Sequence, residues 1–370
     1  MSIIKTEKTT EAYLRKISHE PHNTFRGKEL VAKKWTEFTL HHHSLTPEKF
    51  AEELLLIKRK NGDEEYEDIL FDQLQEFVNG LNGNPNSIKT TFSYLRPFLY
   101  HLGLKISDQD KKMRLKFPKI HKEEKYALSR DELRKIVLDL SHYPKRQALI
   151  LACSSSGMRQ GEAVQVIKDD MILVENRYKV ILRSEITKTK TTRTVFFSGE
   201  SKEKIDTYIN DLKSNDCVLA NGNVCVKSRC AAEHKALTRS LERLGIEMKY
   251  SSNGYHKITF HSFRAYFFTH AVRMHGENYA HRMTGHSGYL MEYDRMTEDE
   301  KLEWYLKLEP ELSVFDISKE KIENERLKKE QTSQYKEMKE EIKSLQFQLI
   351  KQDKKILENL YQNKKLVFGT

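Results

Sequence analysis

Apolar residues recur at helical spacing through the first third of the chain. From Gly27 to Leu102 they lie three or four residues apart in separate stripes, which predicts four amphipathic helices. The stripes contain Leu30, Val31, Trp35 and Phe38; Phe50, Leu54 and Ile57; Ile69, Leu70, Leu74, Phe77 and Val78; and Phe92, Leu95 and Leu99. Short helices of this kind predict a compact helical domain over residues 26–105. Residues 1–25 show little periodicity and are expected to form a flexible or loosely docked arm.

A change of pattern marks a second domain. Residues 106–126 are polar and basic with few large apolar side chains, so we expect an interdomain linker. The segment Ser129-Arg-Asp-Glu132 then has the pattern of a helix capping box, which predicts that a domain over residues 127–316 begins there. Within this domain, residues 178–197 alternate apolar and polar on both sides of a basic centre. That pattern predicts a small hairpin or a three-stranded sheet. The expected fold is therefore mainly α with a small β-sheet, an α+β class.

The last segment, residues 317–370, is highly charged and carries a short heptad seam. Its apolar members alternate in spacing between three and four: Tyr335, Met338, Ile342, Leu345, Leu349 and Ile356. Gln352 and Asn359 weaken this seam. The pattern supports either a coiled-coil partner through residues 335–360 or a single solvated helix, and both interpretations stay open.

The overall charge favours a polyanionic partner. Lys and Arg number 64 against 54 Asp and Glu, a formal net charge of +10. Neutralising phosphates with Lys and Arg releases counterions, which favours binding to nucleic acid. No run of about 18 apolar residues is present, so no membrane span is expected. The start, MSIIKTEKTTEAYLRK, lacks the apolar centre of a signal peptide, and a cytoplasmic, DNA-associated location is expected.

The cysteine pattern predicts reduced thiols and no metal site. The chain has four cysteines and no CxxC pair. Cys217, Cys225, Cys230 and His234 are zinc-capable residue types, but their spacing matches no familiar ligand pairing. The consecutive histidines 41–43 point in different directions on a helix, which favours a solvated helix end.

The stretch SSSGMRQGEAVQV at 154–166 holds the first candidate for chemistry. Arg159 follows a glycine, and Glu162 lies three residues further on. A glutamate that holds an arginine in one orientation preorganises a phosphate clamp. A purely structural ion pair would have the same pattern, so this motif alone does not decide between the two.

A second candidate stretch runs from His261 to Arg295. His261 and Arg264 are three residues apart and lie on one face if the segment is helical. Arg264 offers a rigid fork of donors to a phosphate, and His286 follows a glycine. Tyr293 can attack a phosphate and hold it covalently.

Basic residues also cluster near the turn of the predicted hairpin. They are Lys188, Lys190 and Arg193. A lysine at a hairpin tip can donate a proton to a departing oxygen when its pKa is lowered by neighbouring cations. A basic turn that only touches phosphates is the alternative.

Taken in order, these motifs resemble those of the tyrosine recombinase (phage integrase) family, in particular archaeal-like integrases. The matching motifs are a GxRxxE box from Gly157 to Glu162, a hairpin lysine at Lys188, an HxxR box from His261 to Arg264, a GHS triplet from Gly285 to Ser287, and Tyr293. The resemblance is sharp over residues 125–310. Over residues 25–105 it rests on the helical pattern and the fragment NSIKTTFSYLRPFLYHLG. It implies a helical, SAM-like core-binding domain followed by a catalytic domain.

The resemblance also implies a site and a reaction. Arg159 and Arg264 would bind the non-bridging oxygens of the scissile phosphate while Glu162 orients them. Tyr293 would attack, leaving a 3′-phosphotyrosyl link and a free 5′-hydroxyl. The remaining roles are protonation of the leaving oxygen by Lys188, assistance at the tyrosine by His261, a phosphate hydrogen bond from His286, and DNA contacts by Lys190 and Arg193. No metal or other cofactor is expected.

Some choices within this scheme stay open. Tyr293 follows His286 sooner than in most family members, and Tyr289 and Tyr305 are alternative nucleophiles. Lys190 is the alternative to Lys188 as the acid. The expected partners are double-stranded DNA and further copies of the chain, as a homotetramer on paired sites. Integration or excision of a mobile element is the expected function. The alternatives are a chromosome-dimer-resolving recombinase, a type IB topoisomerase-like enzyme, a catalytically silent DNA-binding accessory protein, and a coiled-coil scaffold.

Overall fold

A computed structural model describes residues 7–119, 123–221, 224–286 and 295–367. The chain divides into two compact units, Met1–Glu123 and Glu124–Thr370. No helix in these described ranges is long and apolar enough to cross a membrane.

The N-terminal unit is helical over the part that the structure describes. Its helices are α1 (Thr10–Ile17), α2 (His22–His43), α3 (Pro47–Asn61), α4 (Asp63–Gly80), α5 (Pro85–Leu102) and α6 (Asp108–Arg114). Most residues of the apolar stripes of α2 to α5 face inwards and Trp35 is fully buried, whereas Leu30 is 55% exposed. Thr46 caps α3 and Asn84 caps α5, each helix with a proline in its first turn. The four helices expected from the pattern are all present.

Part of the expected flexible arm is an ordered helix. Thr9 caps α1 by accepting a hydrogen bond from the Ala12 amide. Tyr13 and Ile17, four residues apart, are buried in the core of the unit. Residues 10–17 of the expected arm therefore form an ordered helix that packs on this core, because two apolar side chains suffice when a larger core receives them.

The expected linker also contributes to this core. Ile106 and Leu115 are buried on either side of α6, and Phe117 packs against the same cluster. These three apolar side chains lie in an otherwise polar stretch, so the composition of residues 106–126 hid their packing. Residues 106–117 belong structurally to the N-terminal unit.

The C-terminal unit combines helices with a small sheet. Its elements are α7 (Arg130–Asp139), α8 (Pro144–Ser156), α9 (Gln160–Ala163), β1 (Met171–Val174), β2 (Arg177–Leu182), β3 (Arg193–Phe197), α10 (Gly199–Asp206), α11 (Val226–Arg243), α12 (Phe260–Thr284), α13 (Glu298–Leu312) and α14 (Asp316–Val367). The capping box expected at Ser129 and Glu132 is present at the start of α7.

The sheet is antiparallel with the order β1-β2-β3. Met171 lies opposite Val180, which in turn lies opposite Val195. This confirms the small sheet expected in the α+β fold. Its first strand, β1, lies upstream of the alternating segment. The pattern did not predict this strand, because residues 171–174 are uniformly apolar and show no period of two.

Helix α8 runs through the middle of the C-terminal core. Every residue from Gln147 to Ser156 is buried, and the helix packs against α10, α12 and β3. Its C-terminal end therefore delivers the chain to a fixed point beside α12. Helix α12 is itself two helical segments joined at Gly276, where φ is 83°.

Candidate active site

The first motif begins where α8 ends. Gly157 has a left-handed φ of 67°, and a Cβ at this position would lie 2.5 Å from Phe267 and 2.8 Å from Thr284. Only glycine fits both the conformation and the space. The turn places Arg159 directly before α9, where its amide donates to Glu162 Oε2 at 2.9 Å and its Nη1 donates to Oε1 at 2.9 Å.

Glu162 holds a second arginine. Arg193, the first residue of β3, donates from Nη2 to Glu162 Oε2 at 2.5 Å and from Nη1 to Oε1 at 3.2 Å. The Glu162 side chain is 2% exposed. Burial raises the pKa of this carboxyl, but hydrogen bonds and charge from Arg193 and Arg159 outweigh burial and hold it below its usual value. The carboxylate is thus ionised and fixes two guanidinium groups.

Arg264 joins the two candidate stretches. From α12 its Nη1 donates to the Gly157 carbonyl at 2.6 Å, and its Nη2 donates to the Thr284 carbonyl at 2.7 Å. Burial, followed by the charge of Arg159, lowers the pKa of Arg264 to about 10. The guanidinium therefore remains charged at neutral pH, locked between the turn after α8 and the end of α12.

His286 lies against the same guanidinium. Gly285 ends α12 with a φ of 67°, and a Cβ there would lie 2.8 Å from Arg193 Nη1. The next residue, His286, places Nε2 2.9 Å from Arg264 Nη2. A guanidinium has no acceptor, so His286 Nε2 must accept, and the ring carries its proton on Nδ1. Burial, then the charge of Arg264, lowers the pKa of His286 to about 4.

A cavity of about 290 Å³ opens beside these groups. Its lining includes Arg159, His261 and Arg264. His261 lies in the first turn of α12, and burial together with the charges of Arg264 and Lys125 lowers its pKa. The i, i+3 spacing of His261 and Arg264 therefore does bring both side chains to one space.

The cavity also contains residues that the motifs did not identify. Gln160 and His234 line it, and Gln160 Nε2 donates to the Cys230 carbonyl at 2.9 Å, which ties α9 to α11. His234 had drawn attention only as a zinc-capable residue. Because His234 is far from both motifs along the chain, the sequence did not predict that it lines the cavity. No group of three or more metal-binding side chains is found in the described ranges, and all four cysteines are free.

The two candidate lysines lie in the loop between β2 and β3. Lys190 adopts a φ of 56° and donates from Nζ to the Glu185 carbonyl of the same loop at 3.2 Å. Lys188 is exposed and is not among the described residues that line the cavity. Both lysines thus remain apart from the arginine cluster in this structure.

The candidate nucleophiles differ in what the structure describes. Tyr293 and Tyr289 lie outside the described residues. Tyr305 lies on α13 with no exposed surface, and its ring packs 5.2 Å from that of Phe196. Burial raises its pKa well above the usual value. A fully buried phenol cannot reach a phosphate on DNA in this fold, so Tyr305 is a core residue.

The arrangement is suited to bind an oxyanion. Two guanidinium groups bind the Glu162 carboxylate, that of Arg264 lies beside them at the cavity, and the two histidines have lowered pKa values that keep them neutral at pH 7. The cluster therefore carries two net positive charges in a partly buried place, where charge acts more strongly than in water. Fixed donors of this kind stabilise negative charge that builds up on a phosphate.

Comparisons with known proteins agree with the motifs. The model of the phage integrase family matches residues 126–291. Among solved structures, the XerH site-specific recombinase bound to difH substrate is similar with a TM-score of 0.51 and 16% identity, covering 79% of this chain and 81% of that one. A lambda integrase dimer bound to a COC′ core site gives a TM-score of 0.52 and 17% identity over 78% and 97% of the chains. No curated protein matches the sequence.

Proposed function

We propose that this chain is a site-specific DNA recombinase that breaks and rejoins DNA strands, since the phage integrase family model matches residues 126–291. The observation that carries the proposal is the fixed arginine group: Glu162 holds Arg159 and Arg193, and two backbone carbonyls hold Arg264 beside them. Double-stranded DNA as the partner is supported by the net charge of +10 and by the DNA present in both similar structures.

Arg159 and Arg264 bind the two non-bridging oxygens of the scissile phosphate. Arg264 keeps its orientation because two backbone carbonyls already occupy its Nη atoms. Negative charge on the phosphoryl oxygens increases in the pentacoordinate transition state, so these arginines lower the barrier most where charge is greatest. Arg193 positions Glu162 and through it Arg159, since its own guanidinium is bound to the carboxylate and only 9% exposed. This role replaces the expected DNA contact of Arg193.

The covalent step needs no cofactor, since every bond that breaks is matched by one that forms. The hydroxyl oxygen of Tyr293 attacks the phosphorus, and the hydroxyl proton passes to His261. The bond between phosphorus and the 5′-oxygen then breaks. Lys188 protonates that leaving oxygen, which yields a 3′-phosphotyrosyl link and a free 5′-hydroxyl. The 5′-hydroxyl of a second strand then reverses the step. Lys188 is preferred to Lys190, because the Lys190 ammonium is bound to a carbonyl of its own loop.

His286 needs a change of hydrogen bonding to contact the phosphate. Its Nε2 accepts from Arg264 in this structure, so it cannot donate while that bond persists. A phosphate beside it favours the protonated ring, and the anion would then raise the lowered pKa of His286. DNA binding is therefore accompanied by proton uptake at this residue.

The assembly on DNA and the biological outcome of the reaction are proposed by analogy with the family. We propose that four copies act together on paired sites and that the reaction integrates or excises a mobile element. The seam over residues 335–360 is proposed to bind a coiled-coil partner.

The test uses a duplex from the DNA flanking the gene, nicked near the cleavage point so that the cleaved end diffuses away. Wild type and the variants Tyr293→Phe, Tyr289→Phe and Tyr305→Phe are compared for a covalent protein–DNA band on a denaturing gel. The band is expected from wild type and is expected to vanish only in Tyr293→Phe. Tyr305→Phe serves as a matched control, since it removes a hydroxyl from the core.

Other outcomes have defined meanings. Loss of the band in Tyr289→Phe alone would move the nucleophile and leave the reaction standing. If wild type and all three variants bound DNA specifically but none gave a covalent band, the proposed enzymatic activity would be contradicted. That result would favour a catalytically silent accessory protein.

A further inference from the structure

His281 lies in the last turn of α12 and is tied to His286 through the backbone. The His286 amide donates to the His281 carbonyl at 3.0 Å, and the Gly285 amide donates to the Arg282 carbonyl at 3.2 Å. With Gly285 at a left-handed φ of 67°, these two bonds form a Schellman motif, which caps the C-terminal end of a helix. The end of α12 therefore fixes the backbone of both histidines relative to each other.

The side chains of the two histidines also meet. His281 Nδ1 lies 3.1 Å from His286 Nδ1, and the ring centroids are 5.2 Å apart. Phe268, on the first segment of α12, packs against both rings, with centroid distances of 5.1 Å to His281 and 5.7 Å to His286. A Schellman motif often carries an apolar contact at this place. Here two ring nitrogens occupy it at hydrogen-bond distance.

The proton positions of this pair follow from Arg264. Its Nη2 lies 2.9 Å from His286 Nε2 and can only donate, so neutral His286 carries its proton on Nδ1. That Nδ1–H donates to His281 Nδ1, which must be unprotonated, and neutral His281 therefore carries its proton on Nε2. Thr284 Oγ1 is a second acceptor at 3.4 Å, since its own hydrogen is donated to the Ala280 carbonyl at 2.7 Å.

We propose that His281 is a positioning residue for His286: it accepts the Nδ1–H hydrogen bond and thereby directs Nε2 of His286 at the scissile phosphate. This inference rests on the proposed strand cleavage. When DNA binds, a proton from solvent adds to His286 Nε2, which donates to a phosphate oxygen and no longer accepts from Arg264. The Nδ1–H bond to His281 is unchanged by this exchange, so the ring keeps its orientation while Nε2 changes from acceptor to donor.

Neutral His281 also favours the charged form of His286 that this exchange requires. Burial is the largest cause of the lowered pKa of His286, followed by Arg264, His281, Arg159 and His261. His281 lowers that pKa through repulsion only when it is itself protonated. Its neutral ring accepts the Nδ1–H bond instead, and a hydrogen bond to the charged form favours that form. The arginines have no acceptor and cannot act in this way.

Single-turnover cleavage of the nicked duplex by the full-length chain tests the positioning role. His281→Phe keeps a ring against Phe268 and removes the acceptor. We expect cleavage to slow by about 5- to 50-fold, because a hydrogen bond to a charged group is lost and Thr284 replaces only part of it. His281→Asn places Oδ1 close to the position of the lost Nδ1, so it is expected to cleave within about threefold of wild type. Equal rates for His281→Asn and His281→Phe would show that the acceptor does not matter and would overturn the proposal.

His275→Phe is the matched control for lost packing of α12. His275 donates from Nε2 to the Trp304 carbonyl at 2.8 Å and is not among the described residues that line the cavity. The variant removes a histidine hydrogen bond from the same helix, so it is expected to lower the urea midpoint without slowing cleavage. If His275→Phe and His281→Phe slowed cleavage equally, the cause would be a general disturbance of α12, and the positioning role would be wrong.

Nuclear magnetic resonance tests the proton positions without DNA cleavage. The ring nitrogens of His286 are labelled with ¹⁵N, assigned by comparison with His286→Gln, and observed at pH 7.5. In the free protein we expect Nδ1 to be protonated and Nε2 unprotonated. In the Tyr293→Phe chain bound to duplex, both nitrogens are expected to carry protons, and adding His281→Phe should leave Nε2 unprotonated. A free protein with the His286 proton on Nε2 would contradict the proposed contact.

These measurements separate the inference from the reaction on which it rests. If wild type formed no covalent band, the proposed reaction would fail, and the positioning role would fail with it. If wild type cleaved and His281→Phe cleaved at the same rate, the reaction would stand and the role of His281 alone would be overturned.

Discussion

At the scale of single residues, Glu162 is the group on which the site depends. Two guanidinium groups share its carboxylate, and it is buried. Glu162→Gln keeps the shape but removes the charge, so Arg159 loses its ionic partner and its fixed orientation. We expect strand cleavage to slow by about 10²- to 10³-fold, a cost similar to losing one preorganised donor. Single-turnover cleavage of the nicked substrate measures the rate.

A matched variant separates this effect from lost stability. Asp139 also pairs with an arginine, Arg243, and accepts a hydrogen bond from Ser240, away from the cavity. Asp139→Asn is expected to lower the urea midpoint without slowing single-turnover cleavage. If Glu162→Gln lost stability yet cleaved at the wild-type rate, the positioning role would be wrong.

The residue pattern predicted part of this site. The pair Arg159 and Glu162 lies within one turn of chain, so local spacing sufficed to predict its contact. Arg193 reaches the same carboxylate from 31 residues away. That contact depends on how β3 docks against α8, and no local period reports it. His234 was unpredictable for the same reason, since only the packing of α11 brings it to the cavity.

At the scale of elements, the turn between α8 and α9 sets the geometry of the site. Gly157→Ala introduces a methyl group that meets Phe267 and Thr284 below 3 Å, at a left-handed φ. We expect the free energy of unfolding to fall by roughly 2–4 kcal/mol, because backbone strain and overpacking both destabilise the folded state. Because the Gly157 carbonyl binds Arg264, cleavage should fall as well. Urea unfolding, followed by circular dichroism, measures the stability.

Gly245 provides the control for the backbone contribution. It has a φ of 66° near the end of α11, and nothing lies within 4 Å of an added Cβ. Gly245→Ala is expected to lower the free energy of unfolding by about 1 kcal/mol and to leave the cleavage rate unchanged. Equal losses of stability in the two variants would show that the close approach of Phe267 and Thr284 does not matter.

The elements themselves were predictable where apolar periodicity was long. Helices α2 to α5 and the strands β2 and β3 follow their patterns. Helices α1 and α6 were missed because each is short: α1 adds only Tyr13 and Ile17 to a core made elsewhere, and α6 has no buried residue of its own, only the buried Leu115 directly after it. Tertiary packing, rather than local propensity, determines such segments.

At the scale of the whole molecule, ionisable groups that are partly removed from solvent make the fold sensitive to acid. Five histidines have pKa values lowered mainly by burial: His101, His261, His270, His275 and His286. Their folded forms bind protons less readily than the unfolded chain, whose histidines titrate near 6.5. Stability from these groups is therefore complete above that pH and is lost as pH falls below it. The lowered pKa of Glu162 adds a further loss below about pH 4.5.

The free energy of unfolding is expected to be nearly constant above pH 7.5 and to decrease steadily from about pH 6.5 towards pH 4. Urea titrations at pH 7.5 and pH 5 measure the difference. His286→Gln retains an acceptor for Arg264 and removes the proton site whose pKa is about 4, so it should reduce the loss between these two pH values. His142→Gln, which changes an exposed histidine of the same unit, should leave the loss unchanged. Equal stability at both pH values would show that protonating these histidines does not destabilise the folded state, because a group with the same pKa in both states cannot link proton binding to folding.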